Sequence, residues 1–239
     1  RNGHYYMAFA STCCPEGIGY AMSDKATGPW STKGYIMRPT ERTRGNHPGI
    51  IDYKGGSYVF GLNYDLLHLE TLDHKERRSV SVAKMHYNPD GTIEEVPYWQ
   101  DTKLEQIDNF NPYRRVEAET MAWGYGLKTG NFENGGLFVT DIDNDEYLCI
   151  RGVDFGKKGA RKFSGSVACV EEGGKIEIRL DGVDGPVVGC VSVSATGGMD
   201  IYKQMSCKIK NAKGVHDLYF CFKGEKGKEL FNLDYWEFE

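Results

Sequence analysis

Lys175-Ile176-Glu177-Ile178-Arg179-Leu180 alternates polar and apolar residues without a break. That two-residue period belongs to a strand with one wet face and one buried face. Short runs rich in β-formers recur along the chain, among them Tyr5-Tyr6-Met7-Ala8-Phe9-Ala10 and Ser57-Tyr58-Val59-Phe60-Gly61-Leu62. Asn-Gly, Gly-Gly, Gly-Pro and Asp-Gly turns separate them. The apolar period of an amphipathic helix is almost absent. Such a chain buries its apolar surface sheet against sheet, so the fold class is all-β.

The net charge is −5, so no basic surplus exists to neutralise nucleic-acid phosphates or to hold an anionic membrane. No apolar run is long enough to span a bilayer. The 15 Tyr and 30 Gly suit strands and tight turns, and aromatic rings also suit sugar binding. For most of these tyrosines β-propensity is reason enough. The seven cysteines show no metal-ligand spacing. Cys149, Cys169, Cys190, Cys207 and Cys221 lie in strand-like apolar runs and read as buried core thiols, with a disulfide left open but not indicated. Cys13 and Cys14 lie in a loop.

A weak internal repeat relates Asn2-Gly3-His4-Tyr5-Tyr6-Met7 to Gly55-Gly56-Ser57-Tyr58-Val59-Phe60. Its spacing is on the scale of a four-stranded propeller blade, roughly 40 to 50 residues. In the second copy Gly49-Ile50-Ile51-Asp52-Tyr53 precedes the turn and is expected to pair back as a hairpin. In the first copy only Arg1 precedes the turn, so the hairpin is expected to lack its first strand and the propeller its N-terminal part. A composition shift falls near residues 108–116. Beyond it, regularly spaced strands separated by Glu172-Gly173-Gly174, Asp184-Gly185-Pro186 and Thr196-Gly197-Gly198 read as a β-sandwich. The junction has no Gly/Ser-rich linker, and the two units are expected to pack together.

Two stretches resemble known families. From Val116 onward, five motifs are similar in order and spacing to carbohydrate-binding module family 6. They are Val116-Glu117-Ala118-Glu119-Thr120, Asp143-Asn144-Asp145-Glu146-Tyr147-Leu148, Gly152-Val153-Asp154-Phe155-Gly156, Gly214-Val215-His216-Asp217-Leu218-Tyr219 and Leu230-Phe231-Asn232-Leu233-Asp234-Tyr235-Trp236. From Arg1 to Tyr113 the chain resembles the last blades of the five-bladed propeller of glycoside hydrolase family 43. The carriers are Gly17-Ile18-Gly19-Tyr20-Ala21-Met22-Ser23-Asp24, Thr27-Gly28-Pro29-Trp30, Gly45-Asn46-His47-Pro48-Gly49 and Arg77-Arg78-Ser79-Val80. The combination most resembles the arabinoxylan arabinofuranohydrolases. The implied domains are residues 1–113, the C-terminal part of a propeller, and 114–239, a jelly-roll sandwich.

The resemblance implies a secreted hydrolase that removes α-L-arabinofuranosyl side chains from arabinoxylan with inversion. Xylosidase or arabinanase activity within the family, and a non-catalytic xylan-binding protein, are the alternatives. Inversion needs an acid and a base about 6.5–9.5 Å apart. The family places both in earlier blades, so this chain alone is expected to be inactive. Asp52, Asp65, Glu70, Asp73 and Glu76 match no catalytic motif. Supporting chemistry carries over at His47, which the family turns to the propeller axis beside water and often a cation, and at Arg78, which reaches the active site. Arg77 faces the other way if the segment is a strand.

In the module the resemblance implies a structural Ca2+ held by Glu117, Glu119 and Asp234, since calcium takes several hard oxygens at about 2.3–2.6 Å. Xylan-binding members stack a sugar between two aromatic rings beside an Asn. Here those ring positions fall at Asp141 and Met199, neither of them aromatic, while Asn232 is retained. Tyr202, Trp123, Tyr125 or Phe132 are the candidates to compensate, as is a second site on a sheet face.

Overall fold

The computed structural model describes the chain except for residues 12–14, 44–45, 65–78 and 100–103. The described residues form seventeen strands and no α-helix. They divide into two compact units, Arg1–Glu105 and Gln106–Glu239.

The first unit holds two antiparallel three-stranded meanders. One consists of β1 (Tyr5–Ala10), β2 (Ile18–Ser23) and β3 (Ser31–Met37), and the other of β4 (Gly49–Tyr53), β5 (Gly56–Asn63) and β6 (Ser79–Met85). The hairpin read at residues 49–60 is present, with Gly49 opposite Phe60 and Tyr53 opposite Gly56. Lys54 and Gly55 close it at φ 46° and 79°, the left-handed pair that suits the twist of a two-residue turn. Asn2 and Gly3 repeat these values at 47° and 83°. Arg1 and His4 exchange backbone hydrogen bonds across them at 2.8 and 2.9 Å. The inward faces repeat as well: Tyr6 and Ala8 of β1 pack on the same core as Val59 of β5. Tyr20 is buried in that core and its hydroxyl accepts from the Ile93 N–H at 2.9 Å, so a polar group inside is satisfied.

The second unit is a two-sheet sandwich. Its shorter strands are β7 (Val116–Glu117), β8 (Trp123–Tyr125), β9 (Lys128–Asn131) and β10 (Leu137–Thr140). The longer ones are β11 (Tyr147–Asp154), β12 (Lys162–Cys169), β13 (Gly174–Leu180), β14 (Val187–Val193), β15 (Gly198–Lys208), β16 (Val215–Lys223) and β17 (Asn232–Phe238). One sheet runs β15-β12-β17-β10-β9, with β7 also on β17, and the other runs β14-β13-β16-β11-β8. Ile176, Ile178 and Leu180 are buried and the residues between them are not, as the alternation requires. They meet Leu148, Phe220, Phe163, Val167, Leu233 and Trp236 in one core. Trp236 and Phe220 pack edge to face at 5.3 Å and 90°, and Phe163 meets Phe220 at 5.1 Å.

The division between the units falls ahead of residue 113. Phe110 bridges to Val153, its N–H donating to the Gly152 carbonyl at 2.7 Å and its carbonyl accepting from Asp154 at 2.9 Å. Phe238 N–H donates to Pro112, and the Tyr113 hydroxyl donates to Phe155 at 2.7 Å. Residues 106–113 are thus laid on the sandwich. Their backbone groups are satisfied there, which composition could not reveal.

One expectation about the thiols is corrected. Cys149, Cys169 and Cys221 are buried, but Cys190 is exposed and Cys207 only half-buried, all five being free. A bulge between Ile178 and Arg179 interrupts the β13–β14 register, and Cys190 pairs with Glu177 on the solvent side of an edge strand. Cys13 and Cys14 lie outside the described residues.

Candidate functional site

Asn232 opens β17. Its neighbour Leu233 points into the core, so the Asn232 side chain points to the other face. It is 5% exposed, its Nδ2 donates to the Met199 carbonyl at 2.9 Å, and its Oδ1 is buried without a partner. Tyr202 of β15 is beside it, and its hydroxyl is also buried without a hydrogen bond of good geometry. Burial, reinforced by the Asp234 charge, pushes that phenol up to about 12. The Tyr202 ring meets Phe132 at 5.4 Å, tilted, and Phe138 at 6.1 Å, edge to face. A depression of about 430 Å³ lies against these rings and against Asn131, Asn134 and Asp200. Asp141 holds a positive φ of 54° and pairs with Lys128 at 2.6 Å, while Met199 is half-buried against the core. Neither residue offers a stacking plane.

A flatter aromatic surface lies on the outer face of the five-stranded sheet. Because Leu148, Ile150, Leu218, Phe220, Ile176 and Ile178 point inward, Tyr147, Cys149, Tyr219, Cys221, Glu177 and Arg179 point outward. The register sets Tyr125, Tyr147, Cys221 and Glu177 in one cross-strand row, and Trp123, Cys149, Tyr219 and Arg179 in the next. Tyr125 and Tyr147 are stacked 5.8 Å apart at 17°. Tyr125 is 58% and Trp123 38% exposed. A depression of about 340 Å³ is bordered by both tyrosines and by Lys223, whose Nζ lies 2.6 Å from Asp145. Arg179 closes the face, donating to Glu177 at 2.7 Å and to the Gly185 carbonyl at 2.9 Å. Aromatic planes rimmed by charged donors and acceptors fit the apolar faces and hydroxyl edges of sugars. Trp123 and Tyr125 were legible as candidates to compensate for the substituted ring positions. Tyr147 and Tyr219 were not, because their neighbours come from distant strands.

Arg115 sits between two of the three expected calcium ligands. It donates to both Glu117 oxygens at 2.8 and 3.0 Å and reaches Asp234 at 3.4 Å, its guanidinium 3.9 Å above the Tyr235 ring. Burial raises the Asp234 pKa, offset by Arg115 and reinforced by Glu117. Glu119 keeps one buried carboxylate oxygen without a partner. Among the described residues no three acidic, His or Cys groups close around one point. The donor chemistry suits a hard cation, and the orphaned Glu119 oxygen is the feature that calls for one.

In the first unit His47 is exposed, and its neighbour Asn46 is the buried anchor. Asn46 Nδ2 donates to the Glu16 carbonyl at 3.3 Å and its Oδ1 accepts from Leu62 at 3.4 Å. Arg78, Arg77, Asp65, Glu70, Asp73 and Glu76 lie outside the described residues. Asp52 pairs with Arg1 and accepts from Ser57 at 2.5 Å. Asp24 faces His4 and Glu95 faces Arg38. These three carboxylates are committed to surface pairs.

The carbohydrate binding module (family 6) profile matches residues 117–239. The arabinoxylan arabinofuranohydrolase of Paenibacillus polymyxa is 36% identical across 99% of this chain and 40% of its own length. That of Bacillus subtilis is 35% identical across 99% of the chain and 49% of its own. The chain therefore spans less than half the length of these two relatives. A crystal structure of a glycoside hydrolase family 43 arabinoxylan arabinofuranohydrolase from Bacillus subtilis, in complex with cellotetraose, superposes with TM-score 0.87 at 33% identity. It covers the whole chain and 52% of that structure. A family 6 module from Clostridium cellulolyticum in complex with xylose matches 54% of this chain and 99% of its own at 37% identity, TM-score 0.52.

Proposed function

Because the chain belongs, over residues 117–239, to carbohydrate-binding module family 6, we propose that its second unit holds xylan for an attached glycosidase. The carrying observation is the outer face of the five-stranded sheet, where exposed Tyr125 stacks on Tyr147 beside Lys223 and Asp145. The similarity of the whole chain to arabinoxylan arabinofuranohydrolases supports removal of α-L-arabinofuranosyl groups from arabinoxylan as the activity of the enzyme it forms part of. The first unit then supplies propeller blades, and the acid and base come from outside this chain. Asp24, Asp52 and Glu95, tied up in surface pairs, are poor candidates for either. A polymeric substrate cannot enter a cell, so the enzyme acts outside it. A calcium ion at Glu119, with Glu117 and Asp234, stabilises the module.

A second reading places the sugar at Tyr202 and Asn232. Two adjacent buried polar atoms without a hydrogen bond of good geometry, the Tyr202 hydroxyl and Asn232 Oδ1, favour it. Retention of the chain on insoluble xylan, with arabinose release from wheat arabinoxylan assayed in parallel, tests the proposal. Retention without release is the expected result. Release by this chain would overturn the placement of the catalytic carboxylates, and absence of retention would overturn the binding role.

A further inference from the structure

One end of the sandwich is cationic although the chain as a whole carries −5. There the turn before β12 is zipped to the segment after β15. Gly214 N–H donates to Gly156, Ala160 to Ala212 and Ile209 to Arg161, at 3.0, 3.0 and 2.8 Å. The zipper gathers Lys157, Lys158, Arg161, Lys208, Lys210 and Lys213, all exposed. Lys213 runs its stem across Gly159, where an added Cβ would stand 2.6 Å from Lys213 Cγ. Among the described residues none of the six meets a carboxylate. The nearby acids are engaged elsewhere: Glu239 pairs with Lys162 at 2.5 Å, Asp154 accepts from the Gly156 N–H at 2.8 Å, and Asp181 faces His216 at 2.8 Å. Like charges crowded without compensation repel, and an anionic ligand relieves them.

The same end has an aromatic wall. Tyr113 is 41% exposed, and its hydroxyl is held by the Phe155 carbonyl at 2.7 Å, so the ring is fixed at the edge. Tyr113, Phe155, Lys157, Lys158 and Arg161 line a depression of about 600 Å³, which Glu239 also borders while its carboxylate pairs with Lys162. We propose that this end of the module is a second glycan site, for polysaccharide segments carrying uronic acids. A sugar ring lies on Tyr113 while its carboxylate reaches the ammonium and guanidinium groups, which donate charge-assisted hydrogen bonds. A single aromatic plane and a compact patch suit one or two acidic sugars. A nucleic acid needs a longer basic track than this patch offers. The assignment rests on the reading of the second unit as a polysaccharide binder, but its depression shares no lining residue with the one beside Tyr125.

The test is affinity electrophoresis of the full chain through glucuronoxylan, polygalacturonate and neutral arabinoxylan. The parent is compared with a Lys157→Glu, Lys158→Glu double variant and with Tyr113→Ser. These side chains are exposed or at the edge, and circular dichroism verifies the fold. The expected result is retardation by the acidic polymers that weakens on the order of tenfold in the double variant. It also weakens as salt rises to about 0.5 M, with neutral arabinoxylan binding unchanged. Acidic-glycan binding without any neutral binding supports this site and removes only the Tyr125 site. Equal retardation of parent and double variant by the acidic polymers overturns the proposal. So does binding of duplex DNA or anionic vesicles that matches the acidic glycans and ignores Tyr113→Ser.

Discussion

Tyr125 stands opposite Tyr147 across the β8–β11 pair, the rings 5.8 Å apart and 17° from parallel. One face of Tyr125 is covered by its partner, and more than half of the residue is open to water. Tyr125→Ala is therefore expected to weaken retention on xylan about five- to tenfold, the size of an aromatic contact. The melting temperature should hardly move, because little buried area is lost. Isothermal titration with xylo-oligosaccharides and a thermal melt check both halves. An unchanged affinity would remove this face as the site.

Asn232→Ala is expected to behave in the opposite way. The side chain is buried and tied to the Met199 carbonyl. Losing that bond costs about 1 kcal/mol, read as a fall of a few degrees in the melting temperature, with xylan affinity retained. A loss of affinity here, with none for Tyr125→Ala, would move the sugar to the Tyr202 cleft.

The carboxylates near Arg115 separate calcium from acid–base effects. Added calcium is expected to raise the melting temperature, and Glu119→Gln to abolish that response, stabilisation reaching about 2.7 kcal/mol at 100 times Kd. In chelator, stability follows the protonation of Asp234. Its folded pKa is raised by burial, so its contribution to stability is present below the ordinary carboxylate value. That contribution is lost as pH rises through the raised one. Asp234→Asn should flatten stability over that acidic window. A parent profile rising there would contradict the sign.

Cys190 is the exposed thiol among the five described cysteines. Burial and Glu177 raise its pKa, so its reaction with a disulfide reagent should speed up as pH climbs above the ordinary thiol range. Cys190→Ser should remove one fast-reacting equivalent under native conditions. An unchanged fast phase would place Cys190 under cover.

Gly61 of β5 faces Trp99. A Cβ there would lie 2.4 Å from the indole Cζ2 and 3.3 Å from Asn46 Oδ1, while Trp99 Nε1 donates to Leu62 at 3.1 Å. Gly61→Ala should destabilise the first unit by about 1–3 kcal/mol through overpacking. Denaturant melts followed by tryptophan fluorescence measure it, and a neutral outcome would show that the indole gives way.

Much of the fold was legible because strand signals are local. The alternation at residues 175–180, the Lys54-Gly55 hairpin and the Gly-rich turns between β12, β13, β14 and β15 all appear where the residues indicated. The substituted ring positions were equally readable, and Asp141 and Met199 lack a stacking plane in the fold as in the sequence. Cys190 was misread because an apolar run does not say where a bulge will turn one of its members outward.

By itself the sequence determined the all-β class, the two-unit organisation and the resemblance that the comparisons bear out, since the two-residue period and turn chemistry are properties of neighbouring residues. Only the tertiary structure decided which distant residues become neighbours. Tyr125, Tyr147, Cys221 and Glu177 form one row only once β8, β11, β16 and β13 have paired in a given register. The cationic end exists only because residues 156–161 are zipped to 209–214. Strand pairing is non-local, and a shift of one residue would turn each of these side chains to the other face.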